Sequence, residues 1–309
     1  MFGLGLGLGL GACGGGGSPG AVDGPPGGGS GDGGGGHADS GGSDGFVELV
    51  GRDWAMGQGQ QGYKCIRVAV AQDMWVDGFR ANSPQGTHHE VLTISDNSHQ
   101  VGEYDCDAGS LDSKMLYAAG VNTDDLVFPP GVAIHVTAGQ FVNLNLHLFD
   151  LTDAALSGHS GVSVHTIAQA NVVNEADMEF SGTALINIPS DNQPHVATGG
   201  CQAPADWHLF TLWPHMHQTA THQKLTVTHG GTTTALLDTD YAFTEQRNYP
   251  ITNTLVHQGD QITTTCTYVN DTGSTKTFGE SSTSEMCFTG MYKYPADGNT
   301  FGCVTGGGF

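Results

Sequence analysis

From Phe46 onward the chain consists of short runs rich in Val, Ile, Thr, Leu and aromatic residues, separated by Gly, Asn, Asp and Pro. Several runs alternate apolar and polar residues with the period of two that half-buried strands have, and no long stretch shows helical periodicity. The clearest runs are Cys65–Val70, Phe141–Leu148, Lys224–Thr228 and Gln261–Cys266. Many short strands at regular spacing predict an all-β protein of two tandem antiparallel, jelly-roll-like β-sandwiches.

A chain of 309 residues is long enough for two domains of ordinary size. The polar stretch Gln169–Asp177 is the best candidate for the joint between them. We therefore predict an N-terminal sandwich over residues 46–172 and a C-terminal sandwich over residues 173–309.

The residues before Phe46 have a different composition, and 22 of the 49 glycines lie there. Residues 1–13 resemble a bacterial signal peptide that ends in a lipobox, with Cys13 as the lipid-modified residue. Residues 14–45 carry almost no apolar side chains, which predicts a disordered Gly-rich tether. We expect an exported protein, lipid-anchored to the bacterial cell envelope in the periplasm or at the surface, with no other membrane contact. The alternative is a Gly-rich disordered end without an anchor.

The charged residues limit the partners of the protein. There are 31 acidic and 9 basic side chains, the formal net charge is -22, and no basic cluster occurs. Because phosphate binding depends on such clusters, the composition argues against nucleic acid as a partner. The acidity also weakly disfavours anionic substrates.

None of the seven cysteines belongs to a C-x-x-C pair, which favours disulfides over thiolate metal ligands. Cys13 lies in the leader, and the other six form an even set suited to three bridges in an oxidising compartment. These six are Cys65, Cys106, Cys201, Cys266, Cys287 and Cys303.

Histidine is frequent, with 15 residues, and the tripeptide His215-Met216-His217 stands out. It follows a strand-like run, and alternation along a strand places both imidazoles on one face while Met216 points away. Two imidazoles so placed can chelate one metal ion. The alternative interpretation is a pair of surface histidines without a ligand.

Three further residues are weaker metal-ligand candidates when each is taken alone. His88 and His89 are adjacent, and on a regular strand they would point to opposite faces unless a bulge or loop intervenes. His147 lies in a strand-like run, where a lone histidine is more often structural. Met286 precedes a cysteine, where methionine is usually core filler. Taken together, imidazoles and a thioether without clustered carboxylates favour copper.

The order of these motifs resembles the copper type II, ascorbate-dependent monooxygenases, the family of the peptidylglycine hydroxylating and dopamine beta-monooxygenases. The resemblance spans roughly residues 60–305. The matching pieces are His88-His89, the strand with His147, Ser160–His165, Pro214–His217, and Ser284–Cys287 with Tyr292–Pro295.

The resemblance implies two sandwiches, each with one copper ion, on either side of a solvent-filled cleft. His88, His89 and His147 would hold the electron-storing copper. His215, His217 and Met286 would be the catalytic set, which holds the copper where O2 binds and a substrate C–H bond is hydroxylated. Ascorbate or a similar small reductant would supply the electrons, and we expect a monomer that acts on a small molecule. The implied disulfides are Cys65–Cys106, Cys201–Cys303 and Cys266–Cys287.

The sequence departs from the peptide-amidating members of that family at two substrate-binding positions. An arginine two residues before the H-x-H and a tyrosine four residues after the methionine are replaced by Trp213 and Gly290. A peptide ending in glycine is therefore not the expected substrate, and a more apolar or aromatic one is favoured.

Two other function classes stay open on the sequence alone. A non-catalytic copper-binding or copper-storage lipoprotein would keep the same ligands and lose the substrate contacts. A β-sandwich adhesion or carbohydrate-binding module would carry its histidines incidentally. Among the remaining histidines, His165 and His222 are candidates for groups that orient a ligand.

Overall fold

The computed structural model describes residues 44–97, 99–120, 123–150 and 152–306. These residues form strands, turns and one short 3-10 helix, Gln169–Asn171, with no α-helix among them. The predicted all-β class is confirmed. The predicted leader, the lipidation of Cys13 and nearly all of the predicted tether lie outside the described residues.

Eleven strands precede Ala176. They are β1 (Val47–Met56), β2 (Gln61–Ala69), β3 (Met74–Asn82), β4 (Thr87–Ser95), β5 (Gly102–Asp105), β6 (Lys114–Gly120), β7 (Leu126–Val127), β8 (Val132–Val136), β9 (Phe141–Phe149), β10 (Leu156–Ile167) and β11 (Asn174–Glu175). They build a sheet in the order β1-β10-β3-β8-β11, with β7 paired to β3, and a second sheet in the order β5-β2-β9-β4-β6.

Eleven more strands follow Ala176. They are β12 (Asp177–Thr183), β13 (Asn187–Ile188), β14 (Pro194–Gln202), β15 (Trp207–His215), β16 (Ala220–His229), β17 (Thr232–Asp240), β18 (Tyr249–Val256), β19 (Gln261–Val269), β20 (Lys276–Thr277), β21 (Cys287–Tyr294) and β22 (Cys303–Thr305). They build sheets in the orders β18-β15-β21-β12-β22, β14-β19-β16-β17 and β13-β20.

The strand pairing is antiparallel with two exceptions. The short strands β11 and β22 pair in parallel with β8 and β12, respectively. Both are two- or three-residue strands at the edge of a sheet, where a passing segment can add without a hairpin turn. The four alternating runs in the sequence all lie in strands, namely β2, β9, β16 and β19.

Alternation decides which side chains enter the core. Along β19 every second residue is buried, as the sequence pattern predicts. Strand β9 differs, because both of its faces are covered. Its apolar face enters the core, and its polar face carries Asn143 and Asn145, which donate hydrogen bonds to the carbonyl oxygens of Ser110 and Asp107 in the overlying loop.

The largest apolar core is continuous across the two halves of the chain. It contains Phe128 from the first half together with Phe210 and Tyr292 from the second. The Phe128 ring lies 4.9 Å from Phe210 and 5.7 Å from Tyr292. By their contacts the described residues from Asp44 to Gly306 belong to one compact unit. The predicted boundary near residue 172 stays a prediction.

Three disulfides tie the strands together, and their partners are those that the resemblance implied. They are Cys65–Cys106, Cys201–Cys303 and Cys266–Cys287. The third bridge joins β19 to the first residue of β21, next to Met286. In the described part of the chain, no helix has the length and hydropathy to cross a bilayer.

Candidate metal centres

The first candidate centre lies on two neighbouring strands. His88 and His89 are on β4, and His147 is on β9, directly opposite His89. The pairing of β4 with β9 shifts by one residue between Thr87 and His89. His88 is therefore the extra residue of a β-bulge, which redirects its side chain. Adjacent residues of a regular strand point to opposite faces, so the bulge is what allows His88 and His89 to face the same ion.

We call His88, His89 and His147 the three-histidine site. One ring nitrogen from each lies within 4.8 Å of the other two. The Nδ1 atoms of His88 and His89 are 3.0 Å apart. His88 Nε2 and His147 Nδ1 are buried and have no hydrogen-bond partner in the described structure. Leaving a buried polar group unpaired costs about 1–3 kcal/mol, a cost that a coordinated metal ion would remove.

Burial keeps these imidazoles neutral. It lowers the pKa of His147 to about 4, with the neighbouring His88 as the second cause. Burial also lowers the pKa of His88, and it lowers that of His89 well below 6.5. Tyr63 covers His147, with the two rings stacked 4.6 Å apart. A neutral imidazole is the form that binds a metal ion.

The second candidate centre lies where β15 ends. His215 is the last residue of β15 and His217 lies two residues beyond it, so the predicted strand covers only part of the H-x-H. Their ring centroids are 5.3 Å apart and the rings are perpendicular. Met216 points away into the core, as predicted, and is fully buried. Met286 lines the same cavity as both histidines. We call His215, His217 and Met286 the methionine site.

Hydrogen bonds orient both rings of the methionine site. His215 Nδ1 lies 3.0 Å from the Gln246 side-chain oxygen, and His217 Nδ1 lies 3.1 Å from the Ser284 carbonyl oxygen. Because both partners are acceptors, each Nδ1 carries the proton and each Nε2 presents a lone pair. This is how proteins fix the tautomer of a metal-binding histidine. Burial lowers the pKa of His215 to about 4 and that of His217 to about 3.

Glu285 joins the two segments of the methionine site. Its fully buried carboxylate accepts hydrogen bonds from the backbone N–H groups of His217 and Thr219 and from the Thr219 hydroxyl, at 3.0, 2.7 and 2.6 Å. Burial raises the pKa of Glu285, and these hydrogen bonds oppose that rise. The phenol of Tyr268 donates to the Met286 carbonyl oxygen. Met286 is thus held against the loop that carries His217.

The methionine site and one residue of the three-histidine site, His89, face one cavity of about 220 Å³. His89, His215, His217 and Met286 all line it. The apolar part of its wall is formed by Val91, Leu111, Met115, Phe180, Trp213, Phe278, Phe288 and Phe301. The wall also carries the carboxylates of Asp112 and Glu280, and Asp112 forms an ion pair with Arg67 at 2.9 Å.

Trp213 and Gly290, where the sequence departs from the amidating enzymes, are cross-strand partners on β15 and β21. A Cβ atom at Gly290 would lie 2.1 Å from Met178 and 3.4 Å from both Phe180 and Trp213. The space beside Gly290 is therefore filled by apolar side chains. The conflict is with the end of the Met178 side chain, so a larger residue at position 290 requires Met178 to move.

The donor atoms of the two sites fit copper. Five neutral imidazoles and one thioether are available, and no carboxylate belongs to either set of ligands. Thioether sulfur selects Cu(I), and imidazole suits both oxidation states of copper. The unpaired nitrogens of the three-histidine site add a physical reason for a metal there.

The histidines outside the two sites have different surroundings. Eight of the nine described ones lie within 4.0 Å of a carboxylate, and the ninth, His208, stacks on Tyr294. His165 and His222 pair with Asp77 and Asp238, at 2.6 and 3.1 Å. Their hydrogen bonds among the described residues do not reach a candidate ligand, so the structure gives the two no orienting role.

Sequence analysis assigned no role to Gln246, Glu285 or Phe243, although all three contact the sites. Glu285 could have been noticed, because it directly precedes Met286 in the Ser284–Cys287 motif. Gln246 and Phe243 carry no local signal, since they lie in an irregular segment whose position depends on the tertiary fold.

Residues 175–305 match the sequence profile described as copper type II ascorbate-dependent monooxygenase, C-terminal domain. The matched range contains β12 to β22 and the whole methionine site, whereas the three-histidine site precedes it. The similarity to this domain concerns the C-terminal part of the chain, which is less than half of its length.

No curated protein matches the chain. Among solved structures, the chain shows weak likeness to that of the infectious bursal disease virus Gx strain, with 9% identity, 84% of this chain and 75% of that chain covered, and a TM-score of 0.20. The T13 particle of the same virus gives 9% identity, 81% and 69% coverage, and a TM-score of 0.18. Likeness at this level carries no argument about fold or function.

We call the hydrogen bonds that the Glu285 carboxylate accepts from His217 and Thr219 the Glu285 clamp. This clamp can be tested separately from the metal ligands. Glu285→Gln replaces one acceptor oxygen by an NH2 group that faces an N–H donor. We expect roughly tenfold weaker copper binding at the methionine site, and loss of the copper–sulfur signal in X-ray absorption of the Cu(I) protein. Glu280→Gln, the same change five residues earlier on the cavity wall, is the matched control. Unchanged copper affinity and an intact sulfur signal in Glu285→Gln would show that the clamp does not position the ligands.

The lowered pKa values predict copper retention in weakly acidic solution. As the pH falls through 6.5, an imidazole with a pKa of about 4 stays neutral and keeps its lone pair; it is protonated only as the pH falls through about 4. We expect copper to stay bound at about pH 5.5 and to leave towards pH 4 in stepped equilibrium dialysis. Release with a midpoint near 6.5, the ordinary histidine value, would contradict the burial argument.

Proposed function

We propose that the protein is a copper-dependent monooxygenase that hydroxylates a C–H bond of a small organic substrate. The observation that carries the proposal is the pair of neutral ligand sets, one with a thioether, of which His89, His215, His217 and Met286 line one largely apolar cavity. The match of residues 175–305 to the family supports it. We propose two copper ions per chain, one at the three-histidine site and one at the methionine site.

The proposed overall reaction is R–H + O2 + 2 electrons + 2 protons to R–OH + H2O. Copper, when bound, supplies the one-electron redox chemistry and the reduction of O2. Ascorbate or a similar reductant would supply the two electrons. The chain positions the ligands, presents the lone pairs of the buried imidazoles and limits access of water to the reacting atoms.

The cavity wall supports a neutral or cationic, apolar or aromatic substrate. Phe180, Trp213 and Phe301 offer ring surfaces for such a molecule. The carboxylate of Glu280 in the same wall disfavours a substrate carboxylate, whereas Asp112 is already paired with Arg67. This agrees with the absence of an arginine at Trp213.

We also propose that the protein is exported and lipid-anchored through Cys13. The three disulfides support an oxidising compartment. One chain carries both ligand sets, which supports a monomer as the working unit.

The test is oxygen consumption by the copper-loaded protein with ascorbate and a panel of aromatic and aliphatic substrates, with the hydroxylated product identified by mass spectrometry. We expect turnover that requires copper and is coupled to product. Copper binding without coupled oxygen consumption would favour the copper-storage alternative.

Met286→His tests the role of the thioether. We expect this variant to keep its copper but to lose most of the oxygen consumption, because an imidazole in place of the sulfur weakens the preference for Cu(I). Met74→Leu, on β3 and away from this cavity, is the control and should leave the rate unchanged. Full activity in Met286→His would remove the thioether from the mechanism.

A further inference from the structure

Residues 241–248 connect β17 to β18, and we call them the connecting segment. Its first residue contacts the middle of the H-x-H, since the Tyr241 phenol donates to the Met216 carbonyl oxygen at 2.6 Å and accepts from the Met216 N–H at 3.2 Å. Further along the segment, Gln246 holds the His215 ring. The connecting segment is therefore fixed to the methionine site at two points.

The same segment is fixed to the first half of the chain through the edge of β6. The carbonyl oxygen of Gln246 accepts hydrogen bonds from the Gly120 N–H at 3.1 Å and from the Thr123 hydroxyl at 2.9 Å. The Asn248 side chain donates to the Ala118 carbonyl oxygen at 3.3 Å. Gly120 is the cross-strand partner of His89. The connecting segment thus joins the backbone of the methionine site to β6, the strand that pairs with β4 beside the three-histidine site.

Phe243 lies between these two attachments and contacts one ring of each site. Its ring centroid is 4.5 Å from that of His88, at an interplanar angle of 35°. It is 6.3 Å from that of His217, at 84°. Both distances lie in the range of favourable aromatic contacts. One rigid side chain therefore touches a candidate ligand of both centres.

We propose that Phe243 is a positioning residue that sets the spacing between the two metal centres. A phenyl ring has only two rotatable bonds, so it holds its neighbours apart with little loss of conformational entropy. The hydrogen bonds on either side of it stop the connecting segment from shifting along β6. The spacing then depends on the contacts of one half-buried ring rather than on an open gap filled with solvent. This inference rests on the proposed function, because both sites must bind copper.

The spacing can be measured without turnover. Dipolar coupling between two Cu(II) ions falls with the cube of their distance and broadens the continuous-wave EPR spectrum. The uncoupled reference is the sum of the spectra of two variants that each keep one site, His147→Ala and His215→Ala. We expect the wild-type spectrum with two Cu(II) ions to be broader than this sum.

Phe243→Ala removes the contact that the two sites share. With two copper ions bound, this variant should show less dipolar broadening, or broadening that reflects a wider range of copper–copper distances. Phe243→Leu keeps most of the volume and should retain the wild-type broadening. Thr123→Val deletes the hydroxyl bonds to Gln246 and to the Gly120 backbone. It is a milder second variant that should give a smaller change in the same direction and does not depend on the folding of Phe243→Ala.

The outcomes separate the two proposals. Fewer than two copper ions in the wild-type protein would overturn the proposed function and this inference with it. Two copper ions with a wild-type spectrum equal to the reference sum would overturn the inference alone. The inference alone would also fall if Phe243→Ala and Thr123→Val, each with two copper ions, keep the wild-type broadening.

Discussion

Full or partial burial of five imidazole rings without a carboxylate partner is the constraint on which the candidate sites depend. Desolvation disfavours the charged ring and leaves a neutral ligand. The hydrogen-bond acceptors at His215 and His217 are a side-chain amide and a backbone carbonyl, which fix a tautomer without adding charge. Eight of the other nine described histidines lie within 4.0 Å of a carboxylate instead. The presence or absence of a neighbouring carboxylate thus distinguishes these eight histidines from the five candidate metal ligands.

The sheets supply the geometry that this constraint requires. A bulge in β4 turns His88 to the same side as His89, and β9 brings His147 opposite. The end of β15 lets the chain turn at His217, where the Glu285 carboxylate binds the backbone. The resemblance implied a solvent-filled cleft between the two copper ions. In this structure His89 and the three residues of the methionine site line one cavity, and the connecting segment fixes one half of the chain to the other.

Much of this was predictable from the sequence, because period-two alternation and paired cysteines act locally or through a family pattern. The strands around Phe141–Leu148 and Gln261–Cys266 and all three disulfides follow from those signals. The sequence shows that His88 and His89 need a bulge or a loop to face one ion. It does not show where the bulge lies, because a register shift depends on the partner strand. The parallel edge strands β11 and β22 and the positions of Phe243 and Gln246 depend on long-range packing. A strand of two or three residues is too short to show a periodic pattern in the sequence. The sequence of the irregular connecting segment does not show which residues it will contact.

The most direct test of the central claim is the amount of copper held per chain after loading and dialysis. The account predicts two copper ions in the wild-type protein, one in His147→Ala and one in His215→Ala, because the two ligand sets have no residue in common. Copper that dialyses away completely, or a single substitution that removes both ions, would contradict an account with two separate copper sites.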